Sequence, residues 1–225
     1  MVPKTFPIPQ LDQLVKRQFR ATQSAPLAVK GRYQELLYLL VATLIARPYE
    51  KAVSVIDFDG RFDPLRLLAT PPFEDGLEAT PTEEVPQSLR SKRVVRRADL
   101  DHVHILRPAR GNAAHIAKCV ASVEQYMLYG SHPSRTREWW GTIMIGVGSN
   151  PGGNLSANAS AHLAVTAGWK GWLRIDETDA ATFPPGTSIE DALRDRERRQ
   201  SIVDSAGWVA SCPWGGFTFR NSYRE

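Results

Sequence analysis

The chain has 225 residues, of which 42% are hydrophobic and 23% charged; this excludes a wholly disordered chain, a collagen or a low-complexity fibre. Twenty-eight lysines and arginines against 24 acids give a net charge of +4, which permits a nucleic-acid partner without demanding one. Two cysteines, Cys119 and Cys212, are too few for a secreted disulfide scaffold and fit a reducing compartment.

Residues 1–30 are mixed and polar, and we expect them to precede one core domain over 31–225. Leu11, Leu14, Val15 and Phe19 suit one side of a short helix within that segment. The N-terminus lacks the apolar core of a signal peptide. Residues 33–46 (YQELLYLLVATLIA) predict a helix buried on several faces, stopped at Arg47-Pro48. The apolar run inside it is about half the ~20 residues needed to span a bilayer, so a soluble, intracellular protein without membrane contact is expected. Residues 52–57 (AVSVID) read as a buried strand. Asp63-Pro64 opens a short helix, the acid capping free N–H groups and proline fitting the first turn.

Stretches 70–98 and 148–161 are expected to be mobile loops. The first ends in a basic cluster, Arg90, Lys92, Arg93, Arg96 and Arg97. This cluster suits DNA phosphates or a nuclear import signal, and equally a solvated surface. Residues 102–106 (HVHIL) predict a strand on which His102 and His104 share a face. Two histidines are too few for a metal site, and none is expected. Residues 112–129 form the clearest amphipathic helix, with Gly130 expected as a left-handed C-cap. Strands follow at 142–147 and 169–176. Thr187 and Glu190 form a capping box for a helix reaching about Ala206. WVASC and FTF, joined by Pro-Trp-Gly-Gly, close the chain as a hairpin. Short buried strands alternating with helices predict an α/β layer fold with a mainly parallel sheet. The six tryptophans are expected in the core or an interface more than against bases.

The sharpest feature is the run 55–67, VIDFDGRFDPLRL. It places Asp57 and Asp59 at the carboxyl end of a parallel strand, where open α/β sheets bind ligands. An acid there orients water, holds a metal through water, contacts a ribose, or simply caps a turn.

Ile56, Asp57, Asp59, Gly60, Phe62, Arg66 and Leu67 resemble the strand-end pattern of RecA-like recombinases of the eukaryotic type. Within them the run is most similar to the short X-ray-repair cross-complementing paralogues, which lack an N-terminal domain. The helix from Glu35, the strand and helix over 104–129, and Ser131-His132-Pro133 follow in that family's order. The resemblance covers about 31–147. It implies a RecA-like, P-loop-type sheet flanked by helices, with a closing β-hairpin.

The departures are as informative. A phosphate loop, G-x-x-x-x-G-K-[ST], is absent. Gly31, Arg32, Tyr33 and Gln34 stand at its end, with Tyr33 and Gln34 in the places of lysine and hydroxyl. With Asp57 and Asp59 they form a vestigial nucleotide site. Asp59 takes the place of the water-orienting acid, one methylene shorter than the usual glutamate, and is the one candidate catalytic residue. Gly146 and Gly148 follow the strand whose end normally carries the magnesium aspartate. Losing these groups together removes most of the stabilisation that phosphoryl transfer needs. No ATP or magnesium cofactor is therefore expected.

The resemblance implies a nuclear accessory protein of homologous recombination. Its partner would be another RecA-like paralogue in a hetero-oligomer, with single-stranded DNA held by the assembly. Two alternatives stand beside it. One is an ATP-binding, DNA-dependent ATPase whose phosphate loop is lost from this sequence version near residues 30–31. The other is a Rossmann-type small-molecule enzyme using Asp57 or Asp59 on a ribose.

Overall fold

The computed structural model describes residues 4–24, 26–73, 94–146, 162–178 and 207–220. Eight strands form one sheet: β1 (Leu27–Gly31), β2 (Ala52–Asp57), β3 (Val103–Leu106), β4 (Trp139–Ile145), β5 (Leu163–Ala167), β6 (Leu173–Glu177), β7 (Trp208–Cys212) and β8 (Gly215–Phe219). Their order is β3-β2-β4-β5-β1-β6-β7-β8. Pairing is parallel from β3 through to β6. The β7–β8 hairpin then adds an antiparallel edge to β6. The expected mainly parallel α/β sheet with a closing hairpin is therefore present.

Among the described residues three α-helices cover the sheet: α1 (Pro9–Thr22), α2 (Tyr33–Ile45) and α3 (Ala113–Tyr129). Side chains of a strand alternate between its two faces, and β2 follows that rule. Val53 and Val55 join one buried cluster with Leu11, Leu14, Leu36 and Leu40 of α1 and α2. Ala52 and Ile56 join a second cluster with Val120, Val123 and Met127 of α3. Both faces are covered, which is why this strand reads as one apolar run. Ser54 is buried in that run and bonds Thr142 Oγ1 of β4 at 2.8 Å.

The boundary expected at residue 30 falls inside β1. Phe6, Ile8, Leu11, Leu27 and Val29 belong to the same buried cluster as α2. A central strand cannot be lifted out of a parallel sheet, so residues before 31 are part of the core rather than a preceding segment.

Other expectations shift by a few residues. The Asp63 cap holds, its carboxylate accepting from Leu65 N at 3.0 Å, but the segment Pro64–Ala69 is a 3-10 helix. α3 carries the expected N-cap, Asn112 accepting from His115 N at 2.9 Å. Gly130 is not left-handed: its φ is −71°, and its N–H returns to Tyr126 O. The strand expected over 169–176 begins only at Leu173. No sequence pattern points to β5. Its LAVTA run is weakly apolar, yet it lies fully buried between β4 and β1. Most of loop 70–98, all of 148–161 and the helix expected over 187–206 lie outside the described residues. Thr70 and Val95, at the described ends of the first loop, are buried.

Candidate functional site

Open parallel sheets bind ligands at the carboxyl ends of their strands, and the neighbouring strands β2, β4, β5 and β1 end together here. A cavity of about 610 Å³ lies there. Strand ends deliver Gly31, Asp59, Gly146 and Gly168 to it, and Tyr33, Arg61, Arg110 and Trp169 complete its lining.

The two acids of the run 55–67 have separate jobs. Asp57 is 1% exposed. One of its oxygens accepts from Asp59 N at 3.1 Å and the other from Phe62 N at 2.8 Å. Its carboxylate therefore caps the turn after β2 and does not line the cavity. Asp59 does line it, and its Oδ1 accepts from Arg110 Nη2 at 2.6 Å.

The rest of the run clamps that turn onto α2. Phe62 stacks on Tyr38 with ring centroids 5.1 Å apart. The Tyr38 hydroxyl accepts from Asp63 N at 2.8 Å. Arg66 donates to Glu35 Oε1 at 2.5 Å and lies 4.5 Å over the Tyr38 ring. Leu67 is fully buried. Most of the pattern that carries the family resemblance is thus structural, and Asp59 alone among its acids reaches the cavity.

The end of β1 is where the resemblance would put a phosphate loop. β1 ends at Gly31 and α2 begins at Tyr33, so Arg32 alone joins them. Gly31 has φ +81°, and a Cβ there would lie 2.3 Å from Ile175 O. Arg32 N donates to that same oxygen at 2.9 Å. The join is a tight turn pinned to β6. The Arg32 guanidinium faces Glu177 at 3.6 Å. Tyr33 is buried. Its hydroxyl is pushed up by burial first and by the Asp59 charge second, with Arg61 opposing. Gln34 is half-buried.

The end of β4 is equally specific. Gly146 has φ +87°, and a Cβ there would lie 2.6 Å from Asp59 Oδ1. The Asp59 carboxylate thus occupies the space that a side chain at this strand end would take. Magnesium with a nucleoside triphosphate does not fit this donor set. Among the described residues that line the cavity Asp59 is the acid, and it is already paired to a guanidinium.

Of the basic cluster, Arg96 and Arg97 are exposed at the start of the 3-10 helix Arg97–His102. Arg90, Lys92 and Arg93 lie outside the described residues. His102 and His104 do share a face: both ring nitrogens meet Ser134 Oγ, at 2.9 and 2.7 Å. Among the described residues no group of three or more His, Cys, Asp or Glu could hold a metal ion. Nor is any described helix long and apolar enough to cross a membrane.

No sequence pattern singles out four of the lining residues, Arg61, Arg110, Gly168 and Trp169. Arg61 stood inside the 55–67 run, and Arg110 lay in unpatterned sequence after β3. Trp169 was assigned to a strand. Had LAVTA been read as a strand, Gly168-Trp169 would have fallen at its carboxyl end. Trp140 meets the core expectation at 6% exposed, whereas Trp169 is 68% exposed. No protein-family model matches the chain, and no curated protein matches it.

Proposed function

We propose that this chain is a RecA-like recombinase paralogue that acts without hydrolysing ATP. On this reading it supports homologous recombination at double-strand breaks in the nucleus, as a subunit of a hetero-oligomer with another RecA-like paralogue. Single-stranded DNA is held by the assembly.

The observation that carries the non-hydrolysing part is the single-residue join between β1 and α2. A phosphate loop takes eight residues whose amides cradle the phosphates, and here one residue spans the gap. The RecA-like part is supported by the order of elements. The buried helix 33–45, the acid-ended strand 52–57, the strand–helix pair 103–129, the strand 139–145 and the closing hairpin 208–219 follow the sequence that the resemblance implies.

A loop lost only from this sequence version is disfavoured by how the join is built. Gly31, Arg32 and Ile175 fit one another as a turn, which a cut end has no reason to do. A ribose-binding enzyme is disfavoured because Asp57 is committed to two backbone amides and Asp59 to Arg110.

The test is affinity capture of the tagged chain from nuclear extract, with partners identified by mass spectrometry. Recovery of a RecA-like recombinase paralogue is expected. Recovery of no recombination protein overturns the reading.

A further inference from the structure

The sheet ends at β8, and among the described residues nothing pairs with that strand's outer edge. One side of β8 gives its backbone groups to β7, which leaves N–H and C=O groups on the other side unmet by the sheet. Proteins guard such an edge with charge, proline or a bulge. β8 (GGFTF) holds no charge and no proline, and its register with β7 runs unbroken from Cys212↔Gly215 to Trp208↔Phe219.

The flanks of this edge are basic. Arg17 of α1 stands at the strand's first residue. Its Nη1 donates to Trp214 O at 3.3 Å, and a Cβ on Gly215 would lie 3.6 Å from that nitrogen. Arg20 follows one turn along α1, and Arg220 follows the last residue of β8. All three are exposed. The acids of α1 and β6 are already taken, Asp12 by Lys16, Asp176 by Arg174 and Glu177 by Arg32. Between Arg17 and Arg220, Phe217 and Phe219 pack on the α1 side with ring centroids 5.8 Å apart, and Phe217 is only half-buried.

We propose that the outer edge of β8 takes up an extended acidic segment of another protein, which adds a further strand to the sheet. Its main chain meets the free edge, an apolar residue covers Phe217, and carboxylates at its two ends meet Arg17 and Arg220. A second copy of this chain does not suit the edge. Paired antiparallel about a twofold axis, its Arg220 would come to the Gly215 end of the first copy, where Arg17 stands, and like charges would oppose. Nucleic acid does not suit it either, having no strand of amides and carbonyls to offer. β6 and β7 separate this edge from β1 and the cavity. The recombinase reading assigns it no ligand, so the inference and that reading fail separately.

The experiment is fluorescence anisotropy of a labelled peptide, Glu-Val-Thr-Val-Thr-Glu, with the purified full chain. Laid antiparallel along β8 from Arg220 to Gly215, the peptide sets its valines beside Phe219 and Phe217 and its glutamates beside Arg220 and Arg17. Binding is expected, and it should weaken as salt rises. Arg17→Gln and Arg220→Gln are each expected to weaken it about threefold. The lysine-ended copy, Lys-Val-Thr-Val-Thr-Lys, is expected to bind at least about tenfold more weakly, and Arg17→Glu with Arg220→Glu is expected to reverse that preference. A copy N-methylated at its four internal amides is expected to lose binding, because strand addition needs those donors.

No binding of the acidic peptide, equal binding of the acidic and lysine-ended peptides, or an N-methylated copy that binds as well as its parent overturns the proposal. So does unchanged affinity in the arginine variants, each checked for wild-type circular dichroism. An oligo-dT that displaces the peptide at equal charge concentration makes the patch a nucleic-acid site and overturns it. A wild-type chain that sediments as a dimer, and as a monomer once peptide is added, gives the edge to a second copy and overturns it too.

Discussion

Replacing Asp57 by Asn separates a turn-capping acid from a chemical one. The carboxylate is buried and accepts two backbone N–H groups, from Asp59 and Phe62. Hydrogen bonds to a charged group are worth about 1.5–3 kcal/mol each. Asn keeps one acceptor oxygen, but its amide nitrogen then faces the second N–H, donor against donor. One bond is lost and one buried donor is left unmet, a cost of about 2–3 kcal/mol. In a chain of this size each kcal/mol lowers Tm by about 2–4 °C, so the midpoint should fall by about 4–12 °C. Asp59→Asn is the matched control. Its ion pair joins a carboxylate at 14% side-chain exposure to a guanidinium at 76%, and such pairs contribute about 1 kcal/mol or less. Thermal unfolding followed by circular dichroism reads both variants on one axis. Equal losses, or an Asp57→Asn protein as stable as wild type, would refute the assignment of Asp57 to the turn.

Further consequences are open to measurement. Gly31→Ala places a Cβ 2.3 Å from Ile175 O at a φ of +81°; the left-handed backbone alone costs about 1–2 kcal/mol, and with the displaced carbonyl we expect about 3 kcal/mol by urea denaturation. A stable Gly31→Ala protein would mean that the β1–α2 join is not the pinned turn described. Leu40→Ala, in the fully buried face of α2, is expected to cost about 2–5 kcal/mol, read as a lower urea midpoint at unchanged slope.

Protonation offers a fourth test. His102 and His104 are both held below the usual histidine range, by burial first. For His102 the Arg137 charge adds to this against Asp99, Asp101 and Glu50; for His104 the neighbours are His132 and His102. The unfolded chain therefore takes up protons first, near pH 6.5. Stability present above that pH declines as pH falls from there through the lower folded values, by up to about 1.4 kcal/mol per pH unit for each histidine. A pH series of urea midpoints should show this decline, and His102→Gln with His104→Gln should flatten it; an unaltered pH profile would remove these two residues from the explanation.

The layer class was legible in the sequence because two-sided burial forces continuous apolar strands such as 52–57, and because α2 is apolar on nearly every side. β5 was not legible. Its burial comes from neighbours on both edges, which cover Ala and Thr as fully as they cover Leu and Val. The role of β1 is hard to read for the same reason: Leu27 and Val29 are its only large apolar residues, yet the sheet closes around them. At the site, the sequence placed Asp57 and Asp59 together at a strand end but could not divide their labour. That division depends on which backbone amides the turn aims at Asp57 and on Arg110, which arrives from 51 residues away. The absence of the G-x-x-x-x-G-K-[ST] motif is legible in the sequence. That β1 ends in a turn pinned to β6 depends on the pairing of Gly31 with Ile175.

Steady-state ATP turnover by the purified chain, with single-stranded DNA present and absent, tests the central claim most directly. The account predicts no turnover above the buffer rate in either condition, and the same for Asp59→Ala. Turnover above that rate in the wild-type chain, abolished by Asp59→Ala, would contradict it.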